Sequence, residues 1–202
     1  MAGAGLFTWL QDAAFYRGFH AAAADLMGAG DGRSWLDAGC GPGVLARLAA
    51  ARGFVVRGVD RDSGMIASAG RLATDRGAQV TFATSDLDAE LARGRRYDVV
   101  SASSLIVVTS DPEDTLVKLC ALTAPGGRLL VIEASPQMSR WRALKLLLTG
   151  RAGPRGYMFL LWATGRSGRA LPNSFFEQSH CRTSRHPLLG GLVNAWVFEM
   201  PE

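Results

Sequence analysis

Residues 34–44 constrain this chain more than any other stretch. They read Ser-Trp-Leu-Asp-Ala-Gly-Cys-Gly-Pro-Gly-Val, an apolar run that ends in glycines at 39, 41 and 43 and passes directly into helix-forming residues. Glycine has no Cβ, so the backbone there can take positive φ at little cost and a ligand can approach the main chain closely. A helix beginning at the turn adds unpaired N–H groups and the positive end of its dipole. Strand, glycine turn and helix together make the ligand-binding corner of a βαβ unit, and this commits the chain to an α/β fold built on a parallel sheet.

The rest of the first 134 residues repeats that alternation. Strands are expected over 34–38, 54–60, 79–83, 97–103 and 128–133, and helices over 44–52, 63–76 and 111–122. The second helix has Met65, Ile66, Ala69 and Leu72 on one face, and the third starts at Asp111-Pro112. Pro125-Gly126-Gly127 turns the chain into the fifth strand. After Ala134 the pattern changes. Residues 140–148 read as a helix, whereas 150–171 are rich in Gly and Arg around Tyr157-Met158-Phe159-Leu160-Leu161-Trp162, the composition of a lid or cap. A short helix starts near Asn173, and 182–188 and 193–200 read as strands joined through Gly190-Gly191. The expected organisation is a single domain over 1–202. It comprises a helical N-terminal cover (1–30), a ligand-binding core (33–134), a cap insert (135–180) and a terminal strand pair (181–202).

Composition narrows the class. With 48% hydrophobic residues, 202 residues can bury one sizeable core. Cys40, Cys120 and Cys181 match no metal or disulfide spacing, and neither a charged leader nor a membrane-length apolar run is visible. A reducing, cytoplasmic setting is the expectation. The net charge of +4 is uneven, because residues 140–186 hold nine Arg or Lys against one acid, Glu177. Such a patch attracts an anionic substrate, a nucleic acid or a membrane surface. The preference for Arg over Lys equally fits the codon bias of a GC-rich genome.

Two ligand classes compete for the glycine turn. The dinucleotide fingerprint G-x-G-x-x-G fails by one position, since Val44 stands where its third glycine belongs. The run Leu36-Asp37-Ala38-Gly39-Cys40-Gly41-Pro42-Gly43 instead resembles the first motif of the class I S-adenosylmethionine-dependent methyltransferases, an acid followed by Gly-x-Gly-x-Gly. The resemblance covers roughly residues 33–134. It implies a doubly wound, mostly parallel seven-stranded sheet in the order 3-2-1-4-5-7-6, its last strand antiparallel, with helices on both faces. It also implies S-adenosylmethionine as cofactor and S-adenosylhomocysteine as product.

Carried over residue by residue, the resemblance places the methionine end of the cofactor on Gly39, Gly41 and Gly43, with Asp37 at its amino group. Asp60, 17 residues after Gly43, meets the ribose hydroxyls beside Arg61. Asp86 and Leu87 meet the adenine, and Ser101, Ala102 and Ser103 at the fourth strand line the site. Where many relatives carry a histidine or aromatic just downstream, this chain has Ile106-Val107-Val108.

Methyl transfer from a sulfonium needs in-line alignment, and a general base only for a neutral hydroxyl or an acidic carbon. Candidates for that role are His20 and Tyr16 in the N-terminal helix and His180 after the cap; the competing reading of His20, and the more ordinary one, is a solvated histidine on a partly buried helix face, and that of His180 is a structural role. The cap aromatics and arginines point to a hydrophobic, anionic small-molecule acceptor. An RNA or protein methyltransferase using the basic segment, and a non-catalytic cofactor-binding protein, are the alternative readings. The fourth-strand exit lacks an Asn-Pro-Pro-Tyr sequence and no separate nucleic-acid module is present. Trp141, the 144–148 stretch and the flanking cations add peripheral membrane contact as a variant.

Overall fold

The computed structural model describes residues 13–74, 80–148, 163–164, 170–178 and 181–202. One sheet runs through them in the order β3-β2-β1-β4-β5-β7-β6. Its strands are β1 (Ser34–Ala38), β2 (Val55–Asp60), β3 (Val80–Thr84), β4 (Tyr97–Ser103), β5 (Thr123–Ala134), β6 (Arg182–Leu188) and β7 (Val193–Glu199). The first five are parallel, β7 lies antiparallel to β5, and β6 closes the edge antiparallel to β7. The expected order is the one observed.

Both faces of the central strands are buried, as a sheet with helices on each side requires. Alternation along each strand divides the core in two. Trp35, Val99, Leu130, Ile132, Ala195 and Val197 face one cluster; Leu36, Val100, Leu129, Val131, Trp196 and Phe198 face the other. The first cluster is covered by α1 (Ala14–Asp25), α2 (Val44–Ala50) and α6 (Arg140–Leu148), and the second by α5 (Pro112–Leu122) and α7 (Asn173–Glu177). Helix α5 begins where Asp111-Pro112 predicts, with the Asp111 carboxylate accepting the Asp114 amide at 3.0 Å. Helix α3 (Ser63–Thr74) completes the second βαβ unit.

One element was not expected. Helix α4 (Leu87–Ala92) starts directly after Asp86, whose side chain caps it by accepting the Ala89 amide at 2.8 Å. Asp88 and Glu90 in its first turn favour that helix start through the dipole. The fifth strand is also longer than expected. Its ladder to β4 shifts register between Tyr97 and Val99, so Thr123 pairs with Tyr97 before the Pro125-Gly126-Gly127 turn and regular pairing resumes at Arg128. Of the cap expected over 135–180, α6 and α7 are described, while Tyr157, Met158, Phe159, Leu160 and Trp162 lie outside the described residues.

Candidate functional site

The turn after β1 is shaped by its neighbours. Gly39 and Gly43 have φ of 64° and 74°, and a Cβ on Gly43 would stand 2.7 Å from the Phe82 ring. Gly43 is therefore held from behind by β3, on both conformational and steric grounds. The Cys40 amide donates to the Val59 carbonyl at 2.9 Å and the Gly41 amide to Asp60 Oδ2 at 2.9 Å. Asp60 Oδ1 accepts the Asp62 amide at 2.9 Å, so this carboxylate ties the turn to the exit of β2. Burial, then the charges of Asp37 and Asp60, push the Cys40 thiol well above its ordinary range, and it stays a protonated wall group.

Asp37 sits at the base of the turn, 1% exposed. Its Oδ1 accepts the Ser101 hydroxyl at 2.7 Å, and Ser101 in turn accepts the Trp35 indole N–H at 2.8 Å. Its Oδ2 is buried with no hydrogen-bond partner. Burial above all, with the Asp60 charge adding, raises its pKa to about 7, against the Ser101 hydrogen bond. A carboxylate half-ionised at neutral pH, with one oxygen turned to no protein donor, is an acceptor built for a cationic ligand.

A cavity of about 700 Å³ opens here, at the carboxyl ends of β1, β2, β3 and β4. Asp37, Gly39, Gly41, Asp60, Arg61, Asp86, Leu87 and Ser103 line it, as do Tyr16 and His20 from α1. Seven acids, Asp37, Asp60, Asp62, Asp86, Asp88, Asp111 and Asp114, meet Arg61 and Lys118 as the cations of this wall. Lys118 is held by Asp88 at 2.7 Å and Asp114 at 2.8 Å, and those bonds raise its pKa. The wall is strongly electronegative.

Four expectations change in detail. Gly43 backs onto the Phe82 ring and does not itself line the cavity. Ser101 and Ala102 do not face the cavity; they are fully buried one layer behind it, and Ser103 with Ser104 forms the wall instead. The cations of the basic segment that are described, Arg140, Arg142, Lys145, Arg182 and Arg185, do not line the cavity. His180 lies outside the described residues.

His20 is 2% exposed, so the reading of a solvated histidine is replaced by that of a buried one. Its Nδ1 lies 2.8 Å from the Tyr16 carbonyl and its Nε2 lies 2.8 Å from Ser103 Oγ. A carbonyl can only accept, so Nδ1 carries the proton. Burial lowers the His20 pKa to about 4, which keeps the ring neutral at pH 7 and makes Nε2 an acceptor. The Ser103 hydroxyl therefore donates to His20, and what Ser103 can offer the cavity is a lone pair. Rings on either side fix the imidazole, with Tyr16 at 4.5 Å and Phe19 at 4.2 Å between centroids. Sequence reasoning missed this pairing, and it missed the rim made by Asp88, Asp114 and Lys118. The His20–Ser103 and Asp88–Lys118 contacts join elements distant in the chain and have no local signal; only the Asp114–Lys118 pair, at i and i+4 on α5, does.

Comparison with known proteins accords with this geometry. The profile of a family described as a methyltransferase domain matches residues 9–179. The chain belongs to the methyltransferase-domain family. Among the relatives of this domain, the ubiquinone biosynthesis O-methyltransferase of Coxiella burnetii is 30% identical over 98 residues, 48% of this chain and 42% of that protein. The protein of the same name from a Caulobacter species is 31% identical over 124 residues, 61% of this chain and 47% of its own. The methyltransferase-domain chain thus spans less than half the length of the curated relatives it matches. Plantazolicin methyltransferase, solved with a pentazolic desmethylPZN analogue and S-adenosylhomocysteine, superimposes with a TM-score of 0.67 at 14% identity, covering 98% of this chain and 90% of that one. The two share the fold.

Proposed function

We propose that this methyltransferase-domain chain binds S-adenosylmethionine against the glycine turn and transfers its methyl group to a small-molecule acceptor. Asp37 carries the reading: a buried carboxylate with an unpartnered oxygen beside a glycine cradle, in an electronegative cavity, fits a ligand with an ammonium and a sulfonium. Asp37 would hold the ammonium, Asp60 the ribose hydroxyls beside Arg61, and Asp86 with Leu87 the adenine. When bound, the cofactor supplies a methyl group already activated by its sulfonium.

The remaining work belongs to the protein's own residues. Tyr16, His20 and Ser103 meet at one side of the cavity and would form the acceptor side. With its hydrogen committed to His20, Ser103 favours an acceptor that donates a hydrogen bond, such as a neutral hydroxyl or an amine, over an oxyanion. The electronegative wall supports the same preference, so the reading moves from an anionic acceptor to a neutral or cationic one. His20, with its pKa lowered to about 4, is a weak base, and its proposed part is to orient Ser103 rather than to remove a proton. Alignment of the acceptor in line with the methyl–sulfur bond supplies the rate.

Calorimetry with S-adenosylmethionine and S-adenosylhomocysteine tests the reading. Wild type is expected to bind both, and Asp60→Ala to bind each about 30-fold more weakly through loss of two charge-assisted hydrogen bonds. Negligible binding of both ligands by the wild type would overturn it.

A further inference from the structure

Helix α6 carries apolar side chains on two opposite faces. Ala143, Leu146 and Leu147 turn inward and pack into the core cluster that contains Tyr16 and Phe19. At the helical period the opposite face centres on Trp141, Lys145 and Leu148, with Arg142 at its edge. Trp141 is 66% exposed and Leu148 79%. A single exposed apolar side chain is ordinary, but a Trp and a Leu at i and i+7 on the outward face of a helix whose inner face already serves the core need a second apolar environment.

The charge around them indicates which one. Residues 134–176 contain seven Arg or Lys and no Asp or Glu. On α6 itself Arg140, Arg142 and Lys145 are exposed, and the Arg140 guanidinium lies 5.9 Å from the Trp141 ring. Aromatic and leucine side chains flanked by long cationic ones are what an interfacial helix presents to an anionic bilayer, where the rings enter the headgroup layer and the cations reach back to it. A nucleic acid would leave Trp141 and Leu148 without use and would meet the acidic cavity wall. No described helix is long and apolar enough to cross a membrane, so contact would be with a surface.

Placement adds a second argument. Helix α6 follows the carboxyl end of β5, which runs parallel to β4, and the end of β4 at Ser103 lines the cavity. The outward face and the cavity thus belong to the same end of the sheet. We infer that the outer face of α6 docks the protein on an anionic lipid surface, with Trp141 and Leu148 in the interface and Arg140, Arg142 and Lys145 at the headgroups. This inference does not depend on methyl transfer.

Flotation of the full chain with vesicles tests it. Vesicles of phosphatidylglycerol and phosphatidylcholine are expected to bind the protein about tenfold or more tightly than phosphatidylcholine alone, with the difference shrinking as salt rises. Trp141→Ser with Leu148→Ser should lose binding at every salt concentration. Arg142→Glu with Lys145→Glu should lose only the preference for the anionic vesicles. All four positions are exposed, so unchanged melting temperatures accompany the expected result. Three results would each overturn the inference: absence of wild-type flotation with the anionic vesicles, flotation of the Trp141→Ser, Leu148→Ser variant equal to wild type, or a wild-type dimer that the same variant dissociates. Tighter binding to an RNA oligonucleotide than to the vesicles would overturn it as well.

Discussion

Asp37 and Glu90 are both 1% exposed, yet the two carboxylates are treated in opposite ways. Glu90 takes both nitrogens of the Arg57 fork, at 3.0 and 2.8 Å, and the Ser85 hydroxyl at 2.7 Å. Burial pushes its pKa up, but the bonds from Arg57 and Ser85 outweigh burial and hold it below the ordinary value. Asp37 has a single side-chain donor, Ser101, no charged partner in hydrogen-bond contact, and an Oδ2 without a partner, and burial raises its pKa to about 7. A buried acid with both oxygens satisfied is a rivet: Glu90 fastens α4 to β2, in the helix that Asp86 caps and Leu87 begins. A buried acid left half-satisfied destabilises the chain by itself and is intelligible as part of a binding site.

The largest effect should come from the rivet. Glu90→Ala leaves the Arg57 guanidinium without its partner and is expected to cost about 4 kcal/mol in denaturant unfolding. A loss below about 1 kcal/mol is what a solvent-screened surface pair gives, and it would erase the contrast with Asp37. Asp37→Asn should act in the other direction. It preserves shape and removes charge, so S-adenosylmethionine affinity is expected to fall about 100-fold, as for a lost charge-assisted contact. Stability should improve at high pH. Because the folded pKa of Asp37 lies above the unfolded value of 3.8, its stabilising proton is present at acid pH and lost as pH rises through about 7. Between pH 5 and pH 8 the Asp37 contribution falls by about 3 kcal/mol, and Asp37→Asn lacks that term. The difference between the wild-type and Asp37→Asn unfolding free energies at the two pH values decides it.

How far the site was legible follows the same division between local and distant partners. The glycine turn, Asp37 and Asp60 are written in short windows, because strand alternation, glycine spacing and a strand-end acid are local patterns. The strands fall within a residue of their expected bounds for the same reason, except β5, which begins five residues earlier, at Thr123. The depth at which β4 meets the cavity is not local. Ser101 and Ser103 share one face of the strand; Ser101 pairs with the buried Asp37, and Ser103, two residues nearer the carboxyl end, lines the cavity. Helix α4 is hidden because Asp86 serves twice, capping the helix and lining the cavity, so a ligand role for it does not announce the helix it starts. His20 and Ser103 stand 83 positions apart, and a lone histidine among Tyr16 and Phe19 carries no sign of its partner.

That histidine supplies the finest test, because it titrates against Asp37. Burial lowers the His20 pKa from 6.5 to about 4, so between those values the unfolded chain binds a proton that the folded chain does not. Stability then falls as pH drops through that window and is independent of His20 above it; at pH 5 the loss is about 2 kcal/mol. From pH 5 to pH 8 His20 therefore adds nearly what Asp37 removes, and the wild-type profile should be close to flat across this interval. Each single variant exposes the other group. His20→Gln should lose about 3 kcal/mol between pH 5 and pH 8, the full Asp37 contribution, whereas Asp37→Asn should gain about 2 kcal/mol. The slope is the readout, since any packing cost of replacing a ring held by Tyr16 and Phe19 shifts both ends of the profile equally. If His20→Gln runs parallel to the wild type, His20 is not the neutral, buried acceptor its hydrogen bonds describe. The Ser103 hydroxyl would then be free to point into the cavity, and the preference for a hydrogen-bond-donating acceptor would fall with it.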